Sequence, residues 1–395
     1  MSLERRRFFF LNLGHAYTHF FLLIHPTAIL AIERELGRDY GDLLLPSTAA
    51  FAAFGLGTLP AGWLGDRLSR PAMLVAMFFG LGAAAIVTGL AASTWQLVVG
   101  LLLIGSFASI YHPVGIAMVS ETSGRLGRAL GINGVYGNLG VAAAPLLTGV
   151  LAATLGWRWA FFVPGGLALL TGLCFLPLLR RGVAPSVAAA ASTPPRDGRA
   201  GVLFFLVGAG LFGGLAFHTM TISVPKVLED ALRQDGVGLI GAGGLASLIL
   251  GCAAFAQIAV GWLIDRQPIR RIALAIAGAQ VPLFLLVGWA EGWGVAAAIL
   301  LVMLFVFGEI PISDALVARY AAAAWRARLY AVKYVMSLGV SAAAVPTVAL
   351  LHRPGEGFGS LFALLAACMA VVAVTAALLP RHRPSALRTE GVRVR

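Results

Sequence analysis

Gly62-Trp63-Leu64-Gly65-Asp66-Arg67 returns about 200 residues downstream as Gly261-Trp262-Leu263-Ile264-Asp265-Arg266. Two further pairs keep that displacement. His19 and Pro26 match His218 and Pro225, and Arg128 matches Arg328. Registers that agree this closely mark an internal duplication, so each half of the chain is one copy of a single unit. In both copies the motif closes a long apolar run and opens a short basic loop.

The surrounding composition says what those runs are for. Of the 395 residues, 59% are hydrophobic and 12% are charged, and the mean hydropathy is +0.89. Soluble domains carry roughly 25% charged residues. Here charge is too scarce to coat a water-facing surface, so lipid must cover much of the chain. Twelve apolar stretches are long enough to span the hydrocarbon layer: 8–32, 42–65, 71–92, 95–119, 128–153, 157–179, 201–226, 236–264, 270–290, 293–318, 328–351 and 357–380. The longest polar interruption, 180–200, holds Arg180, Arg181, Pro194, Pro195, Arg196 and Arg199 and divides the spans six and six. The expected fold is an all-α membrane protein with twelve transmembrane helices in two parallel six-helix repeats. A first bundle occupies 1–179, a cytoplasmic linker 180–200, and a second bundle with a short basic tail 201–395.

A net charge of +12 invites a nucleic-acid reading, but the basic residues are sorted by membrane side. With the N-terminus inside, 22 of the 29 lysines and arginines fall in cytoplasmic segments and six in outside loops, with Lys333 inside a span. This bias places both termini in the cytoplasm of a bacterial-type inner membrane. It also accounts for the net charge with no nucleic-acid partner. Arg5-Arg6-Arg7-Phe8-Phe9-Phe10-Leu11 mimics a signal-peptide entry, yet the apolar segment behind it is too long and lacks a small-residue cleavage site. It reads as the first span. Cys174, Cys252 and Cys368 lie in apolar runs and offer neither zinc spacing nor a disulfide framework.

Six plus six helices with Gly-x-x-x-Asp-Arg between spans two and three, echoed between eight and nine, resemble the major facilitator superfamily over essentially the whole chain. Gly62, Asp66, Arg67 and Arg70 fit its loop signature, with Ser69 at the position of the second glycine. Tyr111-His112-Pro113 and Gly134-Val135-Tyr136-Gly137-Asn138-Leu139-Gly140 resemble more narrowly the fosmidomycin-resistance-like exporters. Gly140, Ala144-Pro145 and Gly149 look like a loosened fifth-span antiporter motif, with alanine before the proline. The resemblance implies a secondary transporter whose halves rock about a central cavity.

Each candidate residue has a physical role and a plainer one. Asp66 can accept from a helix N-terminus across the interface, and Arg67 and Arg70 can pair with acids or helix C-terminal carbonyls. Gly62, Asp66, Arg67, Arg70, Asp265 and Arg266 are therefore expected at a cytoplasmic gate, although topology alone also places arginines there. Gly134, Gly137 and Gly140 allow close helix approach, and Pro145 permits a bend at a seal between the halves. Ionisable groups at membrane depth are costly and so point to function. Asp314 and Lys333 sit at similar depth, which suits a buried ion pair. Glu309 is about 140° round the helix from Asp314 and is the better proton carrier. Asn12, His15 and His19 share one face of the first span, and His218 repeats His19 in the second half. His19, His112 and His218 are expected in the pocket with Tyr17, Tyr111, Asn133, Tyr136 and Lys333; Phe217, Gln257, Gln280 and Tyr334 complete a mixed aromatic and polar wall. Metal binding is not expected, because no cysteine or carboxylate accompanies the histidines at ligand spacing.

The function read from the sequence is proton-coupled export of a small organic compound, an anion by the imidazoles and Lys333, with Glu309 and Asp314 coupling protons. Symport into the cell uses the same acids in the opposite sense. A membrane sensor or a membrane enzyme is the alternative from another class, but no nucleophile–base or metal constellation supports catalysis. The chain has no Gly-x-x-x-x-Gly-Lys-Ser/Thr loop for nucleotide. No cofactor is expected, and a monomer in the bilayer suffices. The topology has a direct check: a reporter fused after Arg395 should be shielded from impermeant reagents in whole cells, and one inserted in the loop holding Arg38 should be labelled.

Overall fold

A polar backbone in hydrocarbon must find its partners within its own segment, and each apolar run does so as a helix. The computed structural model describes residues 3–121, 126–179, 198–320, 333, 335–352 and 357–381. In the first half the helices are α1 (Leu3–Leu36), α2 (Tyr40–Leu44), α3 (Ser47–Gly65), α4 (Arg70–Gly89), α5 (Thr94–Ala108), α6 (Ile116–Ser120), α7 (Leu126–Leu155) and α8 (Trp159–Phe175). The second half continues with α9 (Arg199–Gly208), α10 (Gly214–Leu232), α11 (Leu239–Arg266), α12 (Ile269–Trp289), α13 (Trp293–Tyr320), α14 (Ser341–Leu351) and α15 (Gly359–Ala377).

Among the described residues eleven helical segments are long and apolar enough to cross a membrane, and a shorter apolar helix, Val335–Leu351, takes the place expected of span eleven. The expected linker is outside the described residues over 180–197, as are Tyr334 and Arg328. Three spans are interrupted in ways that periodicity does not signal. Span two is divided between Leu44 and Ser47, next to Pro46. Spans four and seven each contain a π turn, at Tyr111–Gly115 and Ala209–Gly213. Ser69 has a local use: its hydroxyl accepts from the Ala72 amide (3.4 Å) and caps α4.

Lipid tails give helices no hydrophobic reason to associate, so close backbone approach through small residues carries the packing. A Cβ on Gly140 of α7 would lie 2.1 Å from the Ala16 carbonyl oxygen of α1, and one on Gly105 of α5 would lie 2.0 Å from that of Ala50 on α3. At Gly137 the space is taken by the His15 ring of α1, 2.7 Å from a constructed Cβ. Gly134 differs from the close-packing expectation, since among the described residues nothing comes within 4 Å of it.

The halves meet through α7 against α11 and α3 against the α14 segment. A Cβ on Gly243 would fall 2.6 Å from the Pro145 carbonyl oxygen, and the Leu146 amide donates to Ser247 Oγ (2.9 Å). The helix is thus joined to its partner just where the proline breaks its own ladder. Gly55 similarly abuts Leu338 O, at 2.6 Å from its constructed Cβ.

Charge closes the same end. Lys226 on α10, only 3% exposed, donates to Glu33 of α1 (2.7 Å) and pairs with Asp230 (3.1 Å) and Glu229 (3.6 Å). Arg34 of α1 pairs with Glu229. Tyr40 lays its ring 5.5 Å from the Lys226 ammonium and packs on His352. Removing one partner from such a cluster leaves its neighbours uncompensated.

The glycine contacts give a stability test. Gly140→Ala should cost about 1–3 kcal/mol, since neither backbone can yield cheaply. Gly134→Ala should be neutral or stabilising by up to about 1 kcal/mol, from helix propensity alone. Thermal unfolding of the purified variants in detergent separates the two.

Candidate functional site

Three histidines converge in the first half. His15 and His19 lie one turn apart on α1, and His112 sits in the π turn between α5 and α6. Their ring centroids are 5.1–5.4 Å apart, and each presents a ring nitrogen within 4.8 Å of the others'. The π turn has a sequence cause: Pro113 has no amide to donate, so the helical ladder must adjust around it. His15 and His112 are buried and His19 is half-buried.

A buried hydrogen-bond hub orients this cluster. His15 Nδ1 lies 2.8 Å from the Asn133 carbonyl oxygen of α7. A carbonyl only accepts, so Nδ1 carries the proton and Nε2 keeps a lone pair. The Asn133 amide donates to Asn12 Oδ1 (2.9 Å) and to the Tyr111 hydroxyl (2.7 Å). Tyr111 is fully buried and stacks on His15 at 4.8 Å. It positions the imidazole rather than lining an open surface. Phe54 of α3 packs edge-on against His19 and His112. His218, on α10, packs against Phe51 one turn earlier on α3 and against Phe217. The duplicated histidines thus both pack on rings of α3, His19 on Phe54 and His218 on Phe51.

Tyr17 goes elsewhere. Its hydroxyl bonds Thr171 Oγ1 of α8 (3.1 Å) and its ring meets Phe21 and Phe78, within the first bundle. Tyr136 is half-buried on α7. Asn12 and His15 share the expected α1 face, but only the fold makes them the centre of the hub.

The second half supplies the acids. Glu309 on α13 is 7% exposed and accepts from Gln280 Nε2 of α12 (3.1 Å). Its other oxygen lies 2.4 Å from where a Gly213 Cβ would be, so the π turn of span seven makes room for the carboxylate. Asp314 pairs instead with Lys333. The angular separation of the two acids along α13 thus gives each a different partner. Phe217 bridges the two regions by packing on Phe307 and His218.

The two loop motifs fold alike. Arg67 stacks on Trp63 at 4.0 Å and donates to its carbonyl (3.2 Å); Arg266 repeats this on Trp262 at 3.9 Å and 3.2 Å. Both tryptophans are exposed, as suits an interfacial anchor. Arg70 pairs with Glu121 and, at 3.8 Å, with Asp66. Gly62 lies beneath Pro113. Among the described residues, these ion pairs and ring contacts of Asp66, Arg67 and Arg70 stay within the first half. Asp66 has 77% of its side chain exposed, and Asp265 is also exposed.

A family model described as the Major Facilitator Superfamily matches residues 11–346. The chain belongs to that superfamily. It is accordingly an integral membrane protein of a family of transporters, which is not an enzyme class. The tetracenomycin C resistance and export protein of Streptomyces glaucescens is 32% identical over 161 residues, 39% of this chain and 30% of that protein. The puromycin resistance protein of Streptomyces alboniger is 30% identical over 159 residues, 39% of this chain and 32% of its own. The chain spans about a third of the length of the curated relatives it matches. A crystal structure of a D-xylose-proton symporter superposes with TM-score 0.75 at 13% identity, covering 96% of this chain and 98% of that one. This last likeness bears on the superfamily fold alone.

The hub predicts coupled energetics. Asn133→Ala leaves the His15–carbonyl bond but orphans Asn12 and Tyr111, at about 1–3 kcal/mol per buried group. Tyr111→Phe made in the same background should cost less than it does alone, with a coupling of about 1 kcal/mol in a double-mutant cycle on unfolding.

Proposed function

We propose that this protein is a proton-coupled antiporter that exports a small organic compound across a bacterial-type inner membrane, with both termini cytoplasmic. The observation that carries the reading is Glu309, a buried carboxyl at membrane depth. Among the described residues its hydrogen-bond partner is the neutral amide of Gln280. Gaining or losing a proton there changes the site by a full charge in a low-dielectric setting, so its protonation is tied to which side's water reaches it. Asp314, paired with Lys333, is the secondary candidate, because a neighbouring cation already compensates it.

Export is supported by the resistance proteins named above, one of them described as an export protein. Of the residues 111–113 and 134–140 that resemble the fosmidomycin-resistance-like branch, Tyr111 belongs to the hub around His15 and Asn133, and Gly137 abuts the His15 ring. In this reading His19, His112 and His218 contact cargo between the halves, while Tyr111 and Asn133 hold the imidazoles in place. The contacts of Gly243 with Pro145 and of Lys226 with Glu33 must part for release on the closed side. Gly62, Asp66, Arg67, Arg70, Asp265 and Arg266 then act at the opposite end, where Asp66 is free to engage when the halves approach.

Everted membrane vesicles carrying the protein, energised with a proton gradient and supplied with puromycin, test the coupling. Glu309→Gln should lower gradient-driven uptake at least tenfold while leaving puromycin binding within threefold. Undiminished uptake in that variant would remove the proton role of Glu309.

A further inference from the structure

The histidine cluster has more in common with a metal site than with a packing contact. Three imidazoles are brought together from two elements, α1 and the π turn, each with a ring nitrogen within 4.8 Å of the others'. A tetrahedral zinc site needs ligand nitrogens about 3.3 Å apart, as follows from Zn–N distances near 2.0–2.1 Å. Reaching that spacing requires His19, half-buried, and His112 to turn their rings towards one point. His15 is already set as a ligand is: its Nδ1–H is given to the Asn133 carbonyl, which fixes the tautomer and directs a lone pair from Nε2. Stacking on Tyr111 and the absence of a Cβ at Gly137 hold that ring in its seat.

Charge favours the same conclusion. Three imidazolium ions with centroids little over 5 Å apart would repel one another strongly at membrane depth. Neutral imidazoles are the forms that ligate, and nitrogen donors of this type suit zinc, copper, nickel and cobalt rather than magnesium or calcium. Three protein ligands leave a fourth position, as in zinc sites that keep an exchangeable ligand. His19 is the half-buried member of the three.

We propose that His15, His19 and His112 form a binding site for one divalent transition-metal ion of the zinc type. The site stands independently of the direction or coupling of transport. It bears on cargo, since His19 and His112 are also the residues that the proposed function sets against it.

The test uses the purified full-length chain in chelator-stripped detergent buffer at pH 7, with any affinity tag removed. Zn²⁺ is titrated calorimetrically, and Mg²⁺ is titrated as the hard-cation control. One Zn²⁺ per chain at micromolar affinity or better is expected, with no measurable Mg²⁺ binding. His19→Ala/His112→Ala should weaken the Zn²⁺ site at least 100-fold. Should that variant not fold, His19→Gln and His112→Gln made singly should each weaken it at least tenfold. Absence of a Zn²⁺ isotherm in the wild-type chain, or one that survives these substitutions unchanged, would overturn the proposal and leave the cluster as a packed aromatic core. No gradient or organic cargo is present, so a chain that binds Zn²⁺ but does not move puromycin counts against the export reading alone.

Discussion

A donor or acceptor placed in hydrocarbon has no water to fall back on, and the organisation of this protein follows from that requirement. It forces the backbone into helices, and it also decides what happens wherever a helix departs from regularity. At Pro145 the ladder is broken and the next amide, on Leu146, finds Ser247 in the opposite half. At the π turn after α5, Tyr111 is fully buried and its hydroxyl meets the Asn133 amide, which also serves Asn12. Glu309 finds Gln280. These polar groups at depth are placed by the partners they meet.

The two halves share a sequence plan but not an inventory. The first repeat collects imidazoles, His15, His19 and His112, around an asparagine hub. The second collects carboxyls, Glu309 with Gln280 and Asp314 with Lys333. His218 carries the imidazole into the second half at the duplicated position, where its ring packs on Phe51 of the first half. Duplication thus supplies a common scaffold, while divergence in a few positions gives one half clustered imidazoles and the other carboxyls. Phe217, against both His218 and Phe307, is the physical connection between them.

Closure between the halves is achieved by two unlike means at one end. Small residues let α7 reach α11 and α3 reach the α14 segment at backbone distance, which is a steric fit and insensitive to charge. Lys226, Glu33, Arg34, Glu229 and Asp230 form an ionic cluster across α1 and α10, which depends on every partner being present. At the other end the Trp63–Arg67 and Trp262–Arg266 stacks serve each half separately. The repeated motif thus keeps the same Arg–Trp stack in each half, with Asp66 largely exposed.

Much of this was legible from residue order. Apolar run length determines helices in lipid, the displaced motif determines two related halves, and the 3.6-residue period separates Glu309 from Asp314 on α13, because these are local or periodic properties of the chain. The fold decided the rest, because it depends on which helices touch. Spacing could set His15 and His19 on one face but could not bring His112 to them, since that requires α1 to lie against the π turn after α5. It could not distinguish Gly134, beside open space, from Gly140, beside the Ala16 carbonyl. Nor could it direct Tyr17 towards Thr171 and away from the histidines. The Lys226 cluster joins residues nearly 200 positions apart and has a local trace only in Lys226, Glu229 and Asp230 on one helix face. Periodicity sets the face a residue occupies; only packing against a second helix decides what that face meets.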